Sequence, residues 1–230
     1  QPDKLNDIIK NEVIMDLSRR GKYIIIHLKK YYLAFHLRMT GYLYQTNKIP
    51  INSKYIRCSF ALSSNQFLIF EDIRKFGGFY LFKHLSDLNK KIGIDPFDRN
   101  FTISWMKKNM SKKNRMIKHL LLDQQFICGL GNIYTDEILW KSKIHPRTIS
   151  CNIKNINILH LNILATLNES IEFHGTTFMN FKFDNMKTGN YKAKLNVYGR
   201  KNLPCKRCKN IIIKTHIAGR GTYICTYCQK

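Results

Sequence analysis

Cys205-Lys206-Arg207-Cys208 is followed, after residues 209–224, by Cys225-Thr226-Tyr227-Cys228. Two Cys-x-x-Cys pairs at this separation read as a tetrahedral zinc site, because each short turn presents two thiolates to one ion. Two disulfides would instead require an oxidising compartment and usually a smaller chain. The sequence therefore predicts one structural Zn2+ on Cys205, Cys208, Cys225 and Cys228, in a zinc-ribbon hairpin. Ala218-Gly219-Arg220-Gly221-Thr222 lies midway between the pairs, so Arg220 is expected at the hairpin tip, held rigid by the metal. A guanidinium presented this way suits bidentate phosphate recognition, although an ordinary solvated turn arginine would look the same. Cys58, Cys128 and Cys151 stand singly in apolar contexts and read as small buried hydrophobes. Together the cysteines indicate a reducing cytoplasm.

Upstream of the cysteine module, Phe101–Met110, Asn114–Asp123, Asn132–Lys143 and Ile153–His174 carry apolar residues at helical spacing. A polar stretch, Lys182–Leu195, links them to the cysteines. Further back the pattern is strand-like: Lys22–Leu28, Tyr31–Leu37, Tyr55–Leu62, Gln66–Phe70 and Gly78–Phe82 are short and rich in Ile, Tyr and Phe. Lys29-Lys30 and Ser63-Ser64-Asn65 read as hairpin connections, whereas Asn6–Leu17 fits neither pattern. Closely spaced strands without long helices between them predict an antiparallel sandwich or barrel. Pro96 and its polar surroundings make a domain boundary.

Lys+Arg number 39 against 15 Asp+Glu, a formal charge of +24 on 230 residues. That length can bury a real core. A hydrophobic content of 44% with 12% aromatics excludes a disordered basic tail. No apolar run approaches the roughly 18–20 residues of a membrane span. The excess charge points to a polyanionic partner, nucleic acid foremost. The same Lys-, Ile- and Asn-rich bias is also what AT-rich coding DNA produces. The chain opens Gln1-Pro2-Asp3-Lys4, with neither a signal peptide nor a Met, as expected of a sequence that begins partway into a longer protein.

Several stretches could carry chemistry. Cys128-Gly129-Leu130-Gly131-Asn132-Ile133-Tyr134 joins two helical patterns, and its glycines would let a phosphate approach the N–H groups of the following helix. Asn132 could cap that helix and donate its amide to a phosphate; a plain helix-to-helix turn would look alike. Arg74-Lys75-Phe76-Gly77 places two cations and an aromatic in a break between strands, a pairing able to wedge into a base stack. Phe76 alone would equally suit a core. Met39, in His36-Leu37-Arg38-Met39-Thr40-Gly41, shares that ambiguity. Lys22 opens a strand and reads either as a pocket amine or as a solvated side chain.

Their order along the chain is more specific. The sequence resembles formamidopyrimidine-DNA glycosylase, the bacterial base-excision repair enzyme that removes oxidised purines such as 8-oxoguanine and nicks the abasic site. The matching stretches are Arg19 to Tyr23, His36 to Gly41, Arg74 to Gly77, Leu122 to Tyr134, Ile144-His145-Pro146, His174 to Thr177, and Asn196 to Lys201 leading into the cysteines. They span almost the whole chain.

The resemblance implies an α+β multidomain protein: an N-terminal antiparallel β-sandwich (1–96), a helical DNA-binding domain with a helix–two-turns–helix motif (97–195) and a zinc-ribbon finger (196–230). It further implies a monomer acting in the bacterial cytoplasm at the nucleoid, with no membrane partner. Double-stranded DNA containing an oxidised base or an abasic site would lie between the lobes, the damaged nucleotide flipped out of the stack. Met39, Arg74 and Phe76 match residues that fill the resulting void. Asn132 and Arg220 match phosphate clamps, and Lys113 and Lys118 match further DNA contacts. Tyr55 stands where the family usually has a DNA-contacting His. Lys22 matches the proton donor of the first elimination and Arg220 the residue assigned to the second. A guanidinium stays protonated near neutral pH, so the role of Arg220 is electrostatic.

In the family the amine of an N-terminal proline attacks the sugar's anomeric carbon, with an adjacent Glu as general acid/base. Alignment from Lys22 puts roughly 35 residues ahead of Gln1. Pro2, with no Glu after it, is expected in a loop and not as the nucleophile. The expectation is a glycosylase/lyase whose 1–230 segment binds DNA without excising a base or being trapped by borohydride. Two alternatives remain: an endonuclease VIII-type oxidised-pyrimidine glycosylase, and a catalytically dead DNA-binding remnant. A zinc-ribbon ribosomal or transcription accessory protein explains the charge and cysteines but not the strand–helix order.

Overall fold

The computed structural model describes residues 2–50, 53–176 and 189–230, which form two compact units dividing between Lys91 and Ile92. Of the expected connection Lys182–Leu195, residues 182–188 lie outside the described residues. No described helix is long and apolar enough to cross a membrane.

The first unit is an antiparallel β-sandwich. Strands β1 (Ile14–Arg20), β2 (Tyr23–Leu28), β3 (Tyr32–His36) and β7 (Gly78–Phe82) make one sheet in the order β1-β2-β3-β7. Strands β4 (Gly41–Thr46), β5 (Ile56–Ala61) and β6 (Phe67–Asp72) make the other, in the order β4-β6-β5. Alternation sends Ile24, Ile26, Leu33, Phe35, Phe79 and Leu81 of the first sheet into one apolar cluster with Leu43, Phe60, Leu68 and Phe70 of the second. Phe35 sits at its centre, with the rings of Phe60, Phe70 and Phe79 at 5.8–6.0 Å. Both expected hairpin connections join antiparallel neighbours, β2 to β3 and β5 to β6.

Two strands and two helices were not legible. Strand β1 is an edge whose Ile14, Met15 and Leu17 are exposed, so it shows no inward–outward alternation. Strand β4 begins on a buried glycine and then runs half-buried except for exposed Gln45. Helix α1 (Pro2–Ile9) corrects the expectation of a loop at Pro2: proline at a first helical position gives up an N–H that would be unpaired anyway. Helix α2 (Leu85–Asn89) is too short to show a period.

The second unit holds α3 (Ile103–Met110), α4 (Ile117–Leu122), α5 (Asn132–Lys141) and α6 (Ile156–Glu172) around a core that includes Met106, Leu120, Leu121, Ile138 and Ile163. Helices α4 and α5 are joined by two successive turns over 123–131, drawn together by Gln124. Its amide donates to the carbonyls of Leu122 (3.0 Å) and Leu130 (2.9 Å) and accepts the N–H of Gly129 (3.0 Å). The finger is the hairpin β8 (Ile213–Ile217) and β9 (Arg220–Ile224), whose own small core joins Trp140 of α5 to Val197, Cys205, Ile212 and Cys225.

The expectation that all three single cysteines are buried holds for Cys128 only. Cys58 is half-buried, and Cys151 is exposed, because the 3-10 turn Ser150–Asn152 turns Ser150 inward.

Candidate nucleic-acid interface

Helix α5 organises the second unit's site. Gly131, in extended conformation, is the N-cap, and Asn132 is the first helical residue, so Asn132 does not cap the helix as expected. Its side-chain amide donates to the Gly221 carbonyl on β9 at 2.9 Å. The N–H groups of this first turn have no partner within the helix and gather the positive end of its dipole.

Three further bonds strap β9 to the helices, and a fourth joins α4 to α5. Lys118 Nζ meets Asp136 Oδ1 at 2.6 Å, Thr222 Oγ1 at 2.7 Å and the Gly221 carbonyl at 3.5 Å, and Asp136 Oδ2 accepts the N–H of Tyr223 at 2.9 Å. Lys118 and Asp136 are both fully buried. Burial pushes the Lys118 ammonium down and the Asp136 carboxyl up, against their mutual attraction. Lys118 is therefore corrected from a DNA contact to an internal strut. Its four-carbon stem passes into the core because α4 presents that position between Ile117 and Leu120.

The consequence falls on Arg220. Ala218 and Gly219, at φ 54° and 68°, form the two-residue hairpin turn, so Arg220 is the first residue of β9 and not the tip itself. It is exposed, while Gly221 to Tyr223 beside it are clamped. The structure thus brings Asn132 and Lys118 together on the Gly221 carbonyl, one residue after the exposed Arg220. Lys113 lies exposed between α3 and α4. Glu137, the neighbour of Asp136, accepts the backbone N–H groups of Asn196, Val197 and Tyr198 at 2.8–3.0 Å and anchors the lead into the finger.

The cysteine quartet passes a metal test on geometry. The four Sγ atoms lie within 4.8 Å of one another, with 3.4 Å between Cys208 and Cys225 and 3.9 Å between Cys205 and Cys228. These separations are far too long for disulfides and near the ~3.8 Å edge of a tetrahedron with Zn–S bonds of about 2.3 Å. Trp140 Nε1 donates to Cys205 Sγ at 3.4 Å, and the Asn210 amide to Cys208 Sγ at 3.6 Å, the outer partners that orient thiolate ligands.

In the first unit, Met39 and Phe76 are 61% and 58% exposed on two turns, β3–β4 and β6–β7. The Arg74 guanidinium joins them, 3.1 Å from Met39 Sδ and 4.7 Å over the Phe76 ring. Lys22 is exposed in the two-residue turn between β1 and β2, one position before the strand it was expected to open. Tyr55 is half-buried ahead of β5, its carbonyl accepting the N–H of Asp72 at 3.0 Å.

His36 lies beneath, 7% exposed, edge-on to Tyr23 at 4.8 Å, with Nδ1 accepting the N–H of Arg38 at 3.1 Å. Burial first, then the charges of Arg38 and Lys22, push its imidazole down to about 4. The unfolded chain takes up this proton near 6.5 and the folded one only near 4, so stability complete above pH 6.5 is lost as pH falls toward 4. The expected loss is up to about 3 kcal/mol. The urea midpoints at pH 7 and 4.5 should differ less in His36→Gln than in the parent; an unchanged difference refutes this assignment.

Asp72, Asp136 and Glu137 were not anticipated. Their signal was present: with only 15 acidic residues, a carboxylate inside an apolar run is conspicuous.

Three families match parts of the chain. Residues 1–79 match the family described as formamidopyrimidine-DNA glycosylase N-terminal domain, 92–182 the H2TH domain of the same glycosylase, and 202–230 the zinc finger found in FPG and IleRS. The chain is 36% identical to a formamidopyrimidine-DNA glycosylase of Bacillus licheniformis, over 100% of this chain and 86% of that one. It is 39% identical to that of Mycoplasma genitalium, over 100% and 83%. Among solved structures, Lactococcus lactis Fpg with abasic-site DNA superposes with a TM-score of 0.90 at 33% identity, covering 99% of this chain and 86% of that one. MutM with carbocyclic 8-oxo-G DNA gives 0.89 at 33% and the same coverage.

Proposed function

The chain belongs to the formamidopyrimidine-DNA glycosylase family, and on that premise we propose that it serves base-excision repair, binding duplex DNA at an oxidised purine or abasic site for base removal and β,δ-elimination. The observation that carries the reading is the clamped strand β9, which fixes exposed Arg220 beside the N-terminus of α5, two anion-seeking groups on one rigid support.

Arg220 and Asn132 hold phosphates flanking the lesion, with Lys113 and Tyr55 adding contacts. Met39, Arg74 and Phe76 fill the space left by the extruded nucleotide. Lys22 supplies the proton of the first elimination, and Arg220 stabilises charge in the second without losing its own proton. Cys205, Cys208, Cys225 and Cys228 hold Zn2+, which is structural: it fixes the hairpin and supplies no step of the reaction. The protein acts as a monomer in the bacterial cytoplasm, at the nucleoid.

Fluorescence anisotropy tests this with the 230-residue chain. A duplex bearing a tetrahydrofuran abasic analogue should bind at least about tenfold tighter than its undamaged counterpart, by the few kcal/mol that unpairing an intact base costs. Arg220→Ala should weaken both by about 1–3 kcal/mol and lower the salt slope by about one. Equal affinity for the two duplexes would sink the proposal. For the protein expressed from its gene, 8-oxoguanine should be excised in preference to thymine glycol.

A further inference from the structure

Met39, Arg74 and Phe76 must act together, yet they sit on two separate turns, each containing a non-glycine residue at positive φ: Arg38 at 53° and Lys75 at 59°. Such conformations persist only where surrounding bonds impose them.

One buried side chain serves both turns. Asp72, 1% exposed, ends β6. Its Oδ1 accepts the Thr40 hydroxyl of the first turn and the Arg74 N–H of the second at 3.2 Å, and its Oδ2 accepts the N–H of Gly77 at 2.7 Å. Thr40 Oγ1 also accepts the Arg74 N–H, at 3.2 Å, closing a three-membered link across the turns. Burial alone would raise this carboxyl; the hydroxyl and the backbone N–H groups of Gly77, Arg74 and Phe76 hold it below its ordinary value. Among the described residues no ion pair neutralises Asp72, so its charge is met by oriented donors belonging to the two turns. Space is equally committed: a Cβ on Gly77 would lie 2.9 Å from Phe70 Cζ and 3.1 Å from Asp72 Oδ2, and one on Gly41 only 2.4 Å from the Leu37 carbonyl oxygen.

We propose that Asp72 is the positioning residue of this wedge, setting Met39, Arg74 and Phe76 in mutual register before DNA arrives, so that lesion preference depends on it while general DNA affinity does not. The inference rests on the reading of these three side chains as the void-filling group. Asp72→Asn keeps the shape but turns an amide N–H2 toward groups that are themselves donors. Thr40→Val cuts the same link without touching the carboxylate, and Thr40→Ser restores it.

The test uses the 230-residue chain and a duplex with 2-aminopurine opposite the tetrahydrofuran site, whose fluorescence rises when the orphaned base is unstacked. D72N and T40V should each lose about tenfold of the abasic preference and most of the fluorescence rise, in line with the cost of small misplacements. T40S should retain both, and undamaged duplex should bind within about twofold of the parent throughout. If D72N does not fold by circular dichroism, T40V against T40S decides. Unchanged preference and fluorescence in folded D72N, or in T40V, overturn the proposal. So does an equal loss of affinity for undamaged duplex, which marks a purely structural residue. A parent chain that shows no fluorescence rise refutes the void-filling reading itself, and this inference with it.

Discussion

Removing the metal from the cysteine quartet, by chelation or by Cys208→Ser, is expected to lower duplex affinity by at least about 100-fold. The hairpin is small: its core is Val197, Cys205, Ile212 and Cys225 against Trp140. A metal of this kind contributes about 10–16 kcal/mol of apparent folding free energy in isolated fingers, far more than so few apolar contacts supply. Once it is lost, β9 no longer presents Arg220, and the partner that Asn132 finds on Gly221 goes with it. Two phosphate contacts at about 2 kcal/mol each, within the usual 1–3 kcal/mol range, correspond to more than 100-fold. A metal assay should find one zinc per chain before treatment. Anisotropy titration before and after treatment measures the loss, and a metal-free protein with parental affinity would contradict the argument.

The second large effect is on stability. Lys118→Ala leaves Asp136 buried without its cation, and Asp136→Ala leaves the ammonium and the Tyr223 N–H stranded. Breaking one side of a buried pair costs about 3–5 kcal/mol. For a unit of this size that is roughly 10–15 °C in melting temperature. Replacing both, as Lys118→Met with Asp136→Asn, removes both charges while keeping an acceptor for Tyr223, and should recover at least about half of the loss. Calorimetry on the parent and the three variants measures these differences. Single variants that melt with the parent would show that the pair does not hold the hairpin.

Much of this architecture was open to reading from residue order. The cysteine spacing required a compact four-sulfur site, because two short turns leave the thiolates little freedom. Short runs rich in Ile, Tyr and Phe between turn-like breaks gave β2, β3, β5, β6 and β7, and the helical period gave α3 to α6. What escaped did so for physical reasons. Strand β1 lies at a sheet edge, where exposed Leu17 and Met15 carry no inward–outward signal. Lys118 was misassigned because one-dimensional spacing does not separate a lysine pointing at solvent from one that meets a carboxylate eighteen residues on. Asn132 was assigned a capping role that the extended Gly131 performs. Asp72 binds groups from Thr40 to Gly77, partners that only the pairing of β4 with β6 brings near.

The adjacent carboxylates of α5 also shape how the protein is made. Tyr223, the backbone partner of Asp136, lies 87 residues downstream. At roughly 5–20 residues per second, a ribosome completes α5 several seconds before that partner exists. Until then Asp136 has Lys118 but lacks the Tyr223 N–H, and Glu137 waits for the N–H groups of Asn196 to Tyr198. Completion of this face is therefore a late, long-range event that closes only when the end of the chain has been made.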